Sequence, residues 1–290
     1  MELFPLRDVA LPMLLTALAF ATPLLLAALG ELVGERAGVL NIGLEGMMLG
    51  GAWAGATASF AAGSAPLGLL GAVAAGMALA AVFALLTITL KADAVVAGTG
   101  LNLFALGLTG TLHRALGERW SEVRSATLPE WVFVLIGAVL VPLLWWGLKS
   151  TRPGLQLRAV GEYPAAADTA GVRVARVRWL ATLFNGGLCG LAGAFLSMSH
   201  TDSFGENMTA GRGFIALAIV IFGRWNPWGA LGGALLFGAA EGSQFFLQSK
   251  IGTAFYPLLL ALPYALTLLV LAGFAGRSPA PAALGQAYER

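Results

Sequence analysis

Long apolar stretches with few charges dominate the hydrophobic pattern of this 290-residue chain. A helix needs about 20 mostly apolar residues to cross a bilayer, and the pattern predicts eight such crossings. They are expected at residues 9–30, twice within 46–90, and at 94–112, 131–148, 179–199, 227–248 and 255–274. The stretches do not alternate between apolar and polar residues as the strands of a membrane barrel do, so helices are predicted throughout.

Two interruptions of the pattern refine the predicted topology. The sequence Gly63-Ser64-Ala65-Pro66 lies in the middle of residues 46–90 and is typical of a turn, so we expect a helical hairpin there. Residues 213–223 are apolar but too short to cross a bilayer unaided, which predicts a half-helix or re-entrant segment. The predicted fold class is therefore all-α, a polytopic membrane helix bundle with about eight full spans and one short segment.

The distribution of Lys and Arg predicts the orientation. Residues 149–178 carry six of the 17 basic residues, and the positive-inside rule places such a loop in the cytoplasm. Counting from this loop, with the short segment crossing, puts the N-terminus outside and the C-terminus inside. We therefore expect a transmembrane domain over residues 1–276, with a cytoplasmic loop at 149–178, and a cytoplasmic tail over 277–290. The first apolar run is longer than the core of a signal peptide, so it is expected to be a retained helix.

Composition excludes several classes of protein. Hydrophobic residues make up 58% and charged residues 11% of the chain, and its mean hydropathy is +0.81, which excludes a disordered chain. With 17 basic and 15 acidic residues there is no basic field for nucleic acid. A single cysteine, Cys189, excludes an internal disulfide. None of the lysines completes a P-loop, so we expect neither an ATP site nor another cofactor in this chain.

Five polar residues in or beside the predicted spans are candidates for a translocation path. A charge inside a bilayer must face protein or water, so Glu45 and Glu241 could be transport or coupling residues. The alternative for Glu45 is a position near the start of its helix, stabilised by the positive helix end. Asn41, Asn102 and Asn185 could line the path, or could form hydrogen bonds between helices.

Glycines spaced four residues apart occur on several spans. This spacing places them on one face of a helix, where two backbones can approach closely. Tight packing is therefore predicted at Gly30/Gly34/Gly38, Gly46/Gly50, Gly51/Gly55 and Gly186/Gly190.

The loop at residues 149–178 is predicted to contain one short helix. Gly161 precedes it, Pro164 suits its first turn, and Gly171 suits the left-handed position just after its end. Residues 165–167 are all alanine, which gives a small surface with high helix propensity. So short a helix is marginal in water on its own, so we expect it to dock on a partner.

Four sequence blocks resemble the permease subunits of ABC importers for nucleosides and related simple sugars. The first block, residues 34–48, is GERAGVLNIGLEGMM, and the second, residues 92–102, is ADAVVAGTGLN. The third consists of GEYPAAA from residue 161 and GV from residue 171, and the fourth, GRGFIALA from residue 211, is followed by FGRWNP. The pair Arg224-Trp225 departs from the lysine or glycine-rich turn expected there.

The resemblance implies a permease subunit of an ATP-driven ABC importer for nucleosides, multi-pass in the bacterial inner membrane. It implies three partners besides membrane lipid: a second homologous permease subunit, a cytoplasmic ABC ATPase that binds ATP and Mg, and an external substrate-binding lipoprotein. It also implies that the short helix of the third block couples the chain to the ATPase. The coupling residues carried over are Gly161, Glu162, Tyr163, Pro164, Ala165, Ala166, Asp168 and Gly171.

Three alternatives stay open at this stage. An ABC importer of this type could carry riboflavin or a simple sugar in place of a nucleoside. A self-sufficient secondary transporter could use Glu45 and Glu241 as proton or cation sites. Such transporters often contain inverted repeats with broken helices, but residues 213–223 have no matching segment in the first half. An intramembrane enzyme is disfavoured, since the spans lack paired aspartates, a set of zinc ligands and a Ser-His arrangement.

Overall fold

The computed structural model of the chain describes residues 6–116, 127–251, 265 and 280–289, and all regular secondary structure within these residues is helical. The helices are α1 (Leu6–Arg36), α2 (Leu44–Ala62), α3 (Ala65–Ala84), α4 (Ala94–Leu116), α5 (Glu130–Ser150), α6 (Arg152–Glu162), α7 (Pro164–Thr169), α8 (Val174–Phe195), α9 (Arg212–Phe222) and α10 (Pro227–Ile251). Single π-helical turns extend α3 over Leu85–Thr89 and α8 over Leu196–His200.

Five segments of the described residues are long and apolar enough to cross a membrane. They are Pro12–Arg36, Ala65–Thr89, Ala94–Leu116, Glu130–Ser150 and Val174–His200. Each corresponds to a predicted span, so the all-helical, multi-pass prediction is confirmed at this level. The short apolar segment forms α9, which has 11 residues. The predicted span at 255–274 lies outside the described residues.

Helices α2 and α3 form the predicted hairpin. Helix α2 ends at Ala62, Gly63 has a φ of 58°, and α3 begins at Ala65. Glycine adopts such a positive φ without steric cost. Pro66 lies in the first turn of α3, where a missing N–H breaks no helical hydrogen bond. The turn residues thus account for the sharp reversal.

Helix α8 lies at the centre of the bundle, in contact with α1, α2 and α3. Glycines make these contacts close, as the four-residue spacing predicts. A Cβ added to Gly51 would lie 2.5 Å from Gly190 Cα, and one added to Gly190 would overlap the Ala72 carbonyl. The small residues of α8 therefore allow helix backbones to touch.

Contacts between helix termini define two opposite ends of the bundle. At one end, α1 meets the turn before α10, because Arg36 donates hydrogen bonds to the Trp225 carbonyl at 3.0 and 2.8 Å. At the other end, α8 meets the start of α5, where Ser199 donates to the Leu128 carbonyl at 2.8 Å. We call these the Arg36 end and the Ser199 end.

The segment between α8 and α10 crosses back from the Ser199 end to the Arg36 end. Residues 201–211 form an irregular loop, and α9 completes the crossing in only 11 residues. Thr209 is fully buried, so the loop is anchored in the bundle at this residue, although most of its other residues are exposed. Helix α9 begins against α2, with Gly211 and Arg212 half-buried and Gly213 buried.

The close packing of α8 leads to a prediction for Gly190→Ala. The added methyl group has no space beside the Ala72 carbonyl, so we expect the free energy of unfolding to fall by about 1–3 kcal/mol. The matched control is Gly107→Ala on α4, where a Cβ meets no atom of the described residues within 4 Å and the substitution should be neutral or stabilising. Thermal unfolding of both purified variants measures the difference, and equal melting temperatures would contradict the packing argument.

Candidate functional site

Helix α9 begins against the carboxylate of Glu45. Glu45 lies in the first turn of α2 and accepts hydrogen bonds from the Gly211 and Gly213 amides, both at 2.7 Å. The first N–H groups of a helix have no partner within the helix and carry partial positive charge. Glu45 therefore satisfies these N–H groups and offsets the partial positive charge of the helix end.

Glycines allow this close approach of α9 to α2. Gly211 has a φ of 85° at the N-cap of α9, in the left-handed region that glycine favours. A Cβ on Gly213 would lie 2.5 Å from the Glu45 backbone nitrogen. The alternative interpretation placed Glu45 correctly near the start of its own helix, α2. The N–H groups that bind its carboxylate, however, belong to the start of α9 and not to α2.

The side chain of Arg212, in the first turn of α9, pairs with Glu241 of α10. Both side chains are largely buried, and Arg212 also donates to the Met208 carbonyl at 3.1 Å. Pairing lowers the cost of placing the two charges inside the protein. The two predicted acids, Glu45 and Glu241, thus converge on the start of the same short helix.

Asn102 fixes the start of α2. Its side-chain oxygen accepts from the Gly46 amide at 2.8 Å, and its side-chain nitrogen donates to the Ile42 carbonyl at 2.9 Å. Within the preceding loop, Asn41 accepts from the Gly43 amide at 2.8 Å. Both asparagines therefore satisfy backbone groups, and a role for either in lining a path stays a prediction.

Two buried acids on α1 are absent from the sequence-based candidates. The Glu31 carboxylate accepts hydrogen bonds from the Asn41 backbone N–H at 2.9 Å and from the Asn185 side-chain nitrogen at 2.6 Å. The Glu35 carboxylate accepts one from the Trp225 indole N–H. The first span was predicted to end at residue 30 because a charge follows, but α1 continues to Arg36 with Glu31 and Glu35 fully buried. Their four-residue spacing, one helical turn, was the signal that could have placed them on one face.

Arg224 and Trp225, which replace the lysine or glycine-rich turn expected in the family, form a turn with an unusual backbone conformation. Both residues have positive φ values, 56° and 54°, where a glycine is expected on steric grounds. Trp225 is nonetheless held there, because its indole binds Glu35 and its carbonyl accepts two hydrogen bonds from Arg36. These contacts compensate for the unfavourable backbone conformation.

Residues 149–178 contain two helices, of which the sequence predicted only the short one. The additional helix, α6, ends at Glu162 and includes Gly161. Pro153 and two glycines hide the helical pattern of α6 in the sequence. Gly161 is required inside this helix, because a Cβ there would overlap the Arg36 carbonyl. Gly161 therefore precedes the short helix, as predicted, and Glu162 also lies before it.

Helix α7 is the short helix of the third block. Pro164 begins it, and Gly171 follows it with a φ of 85°. The Gly171 amide donates to the Asp168 carbonyl at 2.9 Å and the Val172 amide to the Ala167 carbonyl at 3.0 Å, the pair of bonds that closes a helix with a left-handed residue. The predicted stop at Gly171 is confirmed.

The two faces of α7 differ in exposure. Ala167 is buried against Val160 and Val174, which fixes the helix to its own subunit. Ala165 and Ala166 are exposed, as is the preceding Tyr163 at 67%. Helix α7 thus presents a small, smooth surface at the Arg36 end of the bundle.

Residues 280–289 pack across the same end. The Ala283 amide donates to the Gly161 carbonyl at 2.9 Å, and the Gly285 amide donates to the Gly38 carbonyl at 3.1 Å. These bonds attach the segment to the end of α6 and to the turn after α1.

Two side chains hold the rest of this segment. Arg178 of α8 donates to the Gln286 carbonyl at 2.7 Å. Lys91, after α3, forms an ion pair with Glu289 at 2.7 Å, and the hydrogen bond from this ammonium lowers the pKa of the Glu289 carboxyl. Four parts of the chain are thereby joined beside α7.

The chain matches a protein family over residues 13–272, and that family is described as the branched-chain amino acid transport system permease component. It therefore belongs to this family and is a multi-pass membrane transport subunit rather than an enzyme. The prediction of a permease subunit is confirmed.

Three relatives illustrate the range of the family. The guanosine ABC transporter permease NupQ of Bacillus subtilis is 34% identical to this chain, and the match covers 99% of this chain and 98% of NupQ. The nucleoside ABC transporter permease NupC of Lactococcus lactis is 35% identical, over 93% of this chain and 94% of NupC. A putative glucose ABC transporter permease of Haloferax volcanii, TsgC13, is 41% identical, over 79% of this chain and 75% of TsgC13. No solved structure matches the chain.

The contacts of Glu45 predict the effect of Glu45→Gln. An amide side chain keeps one acceptor oxygen but turns an NH₂ group toward a backbone N–H, so one charge-assisted hydrogen bond is lost. We expect the free energy of unfolding to fall by about 1.5–3 kcal/mol. The control is Glu206→Gln at the exposed pair with Arg114, where less than about 1 kcal/mol is expected. Similar thermal stability of the two variants would show that the buried helix end does not depend on Glu45.

Proposed function

We propose that this chain is one of two permease subunits of an ATP-driven ABC importer for nucleosides. The observation that carries the proposal is the similarity to NupQ, a guanosine permease, over 99% of this chain and 98% of its relative. Similarity over such a length includes the start of α9 and the α6–α7 loop together. The nucleoside assignment is further supported by the similarity to NupC.

The proposed topology has eight full spans, with α9 and its preceding loop as a further, partly irregular crossing. The Arg36 end faces the cytoplasm of a bacterial cell whose inner membrane holds the protein. The six basic residues at 149–178 support this orientation. In this arrangement residues 1–276 form the permease domain, and the segment at 277–290 is cytoplasmic.

Helix α7 is the proposed contact with a separate ABC ATPase. Its exposed alanines offer a surface that fits a groove on a partner without steric conflict, and Tyr163 flanks them. ATP and Mg bind to that ATPase, and this chain holds no cofactor. Movement of α7 would be transmitted to α1 through Gly161, which touches the Arg36 backbone.

Two further partners belong to the proposal. A second, homologous permease subunit supplies the other half of the translocation path, and an external lipoprotein delivers the substrate. Within this chain we propose that Glu45, Asn102 and Glu241 lie nearest the path. Asn102 and Glu45 bind the starts of α2 and α9, and Glu241 pairs with Arg212 in the first turn of α9. Asn41 and Asn185 are fully buried, so we propose that they stabilise the helices around the path through hydrogen bonds to Glu31 rather than line the path themselves.

A simple sugar is the second candidate substrate. It is favoured by one observation, the 41% identity to a putative glucose permease over 79% of this chain. Nucleosides contain a sugar, so the two substrate classes share hydroxyl groups that the same polar side chains could bind.

Uptake by the reconstituted complex tests the proposed function. The chain is purified with its associated subunits, placed in proteoliposomes with the external lipoprotein, and supplied with labelled guanosine or labelled glucose. We expect guanosine uptake that requires ATP inside and persists with a proton uncoupler. Uptake of glucose alone would favour the sugar, whereas guanosine uptake without ATP that the uncoupler abolishes would show an ion-coupled transporter.

The proposed contact of α7 predicts the effect of Ala166→Trp. The indole would project from the exposed face, so the subunit should fold and enter the membrane, but the ATPase could no longer seat correctly. We expect at least a tenfold loss of guanosine uptake, with ATP hydrolysis no longer stimulated by substrate. Ala166→Ser, which keeps the surface small, is the matched control and should transport normally. Normal uptake by the tryptophan variant would place the ATPase contact elsewhere.

A further inference from the structure

A basic cavity of about 140 Å³ lies at the Arg36 end, between α1, α5, α6 and the turn before α10. Arg36, Lys149 and Arg158 line it, and none of the described residues in its lining is acidic. Two tryptophans, Trp145 and Trp225, complete its walls. We propose that this cavity binds the phosphodiester headgroup of an anionic phospholipid.

The three cations of the cavity have no carboxylate partner in the part of the chain that the structure describes. Among the described residues, none of the three forms an ion pair within 4 Å, although four ion pairs form elsewhere. Glu162 interacts electrostatically with Arg36, and its carboxylate accepts a hydrogen bond from the Ala282 backbone N–H at 3.3 Å. The positive charge of the cavity therefore stays available to an anion.

Arg158 supplies the clearest sign of a missing acceptor. Its Nε is buried and has no hydrogen-bond partner among the described residues. A buried donor left unsatisfied costs about 1–3 kcal/mol, and phosphate oxygens are strong acceptors for guanidinium groups. Arg36 uses two of its five N–H groups on the Trp225 carbonyl, so it retains further donors.

The position of the cavity fits the headgroup layer of a membrane. Lys149 and Trp145 lie in the last two turns of α5, where this spanning segment ends at Ser150. The Lys149 ammonium lies 5.0 Å from the centre of the Trp145 ring. Tryptophan and basic residues are enriched at this depth, and basic pockets between helices at the cytoplasmic side bind anionic headgroups.

The surface beside the cavity favours a lipid over a free phosphate ion. Leu135, Val139, Leu143 and Trp146 are exposed apolar residues of α5 at the three- and four-residue spacing of one helix face. They form a stripe that leads away from the cavity along the spanning segment. A headgroup in the cavity would leave its acyl chains on this stripe, whereas a free ion would make no use of it.

Lipid binding by the intact purified complex tests the proposal. The probes are phosphatidylglycerol, zwitterionic phosphatidylcholine, and phosphatidylcholine with inorganic phosphate. Bound lipid is counted by native mass spectrometry, and affinity follows from the rise in melting temperature during titration. We expect saturable binding and stabilisation by phosphatidylglycerol, and neither effect with phosphatidylcholine. Equal stabilisation by inorganic phosphate would overturn the lipid as occupant, because the site would then be one for a free anion.

The decisive variant is Lys149→Gln combined with Arg158→Gln. At about 1 kcal/mol for each basic residue near an anionic surface, two lost charges should weaken phosphatidylglycerol binding about 30-fold. The matched control is Arg173→Gln combined with Arg176→Gln, exposed cations of the same loop that do not line the cavity. Unchanged binding by the first double variant, or an equal loss in the control, would overturn the proposal. Because the readout is lipid binding, its failure is distinct from a failure of nucleoside uptake.

Discussion

The structure depends on satisfying the backbone N–H groups of two helices that begin inside a membrane protein. Lipid offers no hydrogen bonds, so each such group needs a partner from the protein. At the start of α2 the partner is Asn102, which accepts from Gly46, and at the start of α9 it is Glu45, which binds the Gly211 and Gly213 amides. These bonds join segments of the chain that are far apart in sequence.

This constraint explains why separate blocks of the sequence resemble one family. Asn41 and Glu45 come from the first block, Asn102 from the second and Gly211 from the fourth, and they meet around the same two helix starts. Each of these three blocks supplies either a backbone donor or the acceptor that it requires. A change in one block would therefore leave an unsatisfied polar group in another, at about 1–3 kcal/mol each.

Much of the fold could be predicted from hydropathy and turn residues, but the partners of the buried polar groups could not. The α2–α3 hairpin and the left-handed stop at Gly171 follow from local chemistry and are confirmed. The end of α1 was placed too early, because a span was taken to stop at the first charge, whereas Glu31 is buried with two hydrogen-bond donors. Helix α6 was missed because Pro153 and its glycines suppress the helical pattern. The bond from Gly211 to Glu45 spans more than half of the chain, and no local pattern contains it.

The segment at 280–289 has a consequence for how the protein is made. The Gly285 amide donates to the Gly38 carbonyl, so the turn after the first helix is completed by residues that leave the ribosome only after all the described spans have been synthesised. Until then, the Gly38 carbonyl and the Arg178 guanidinium lack these partners. The contacts that join this end beside α7 can therefore form only after residues 280–289 have been synthesised.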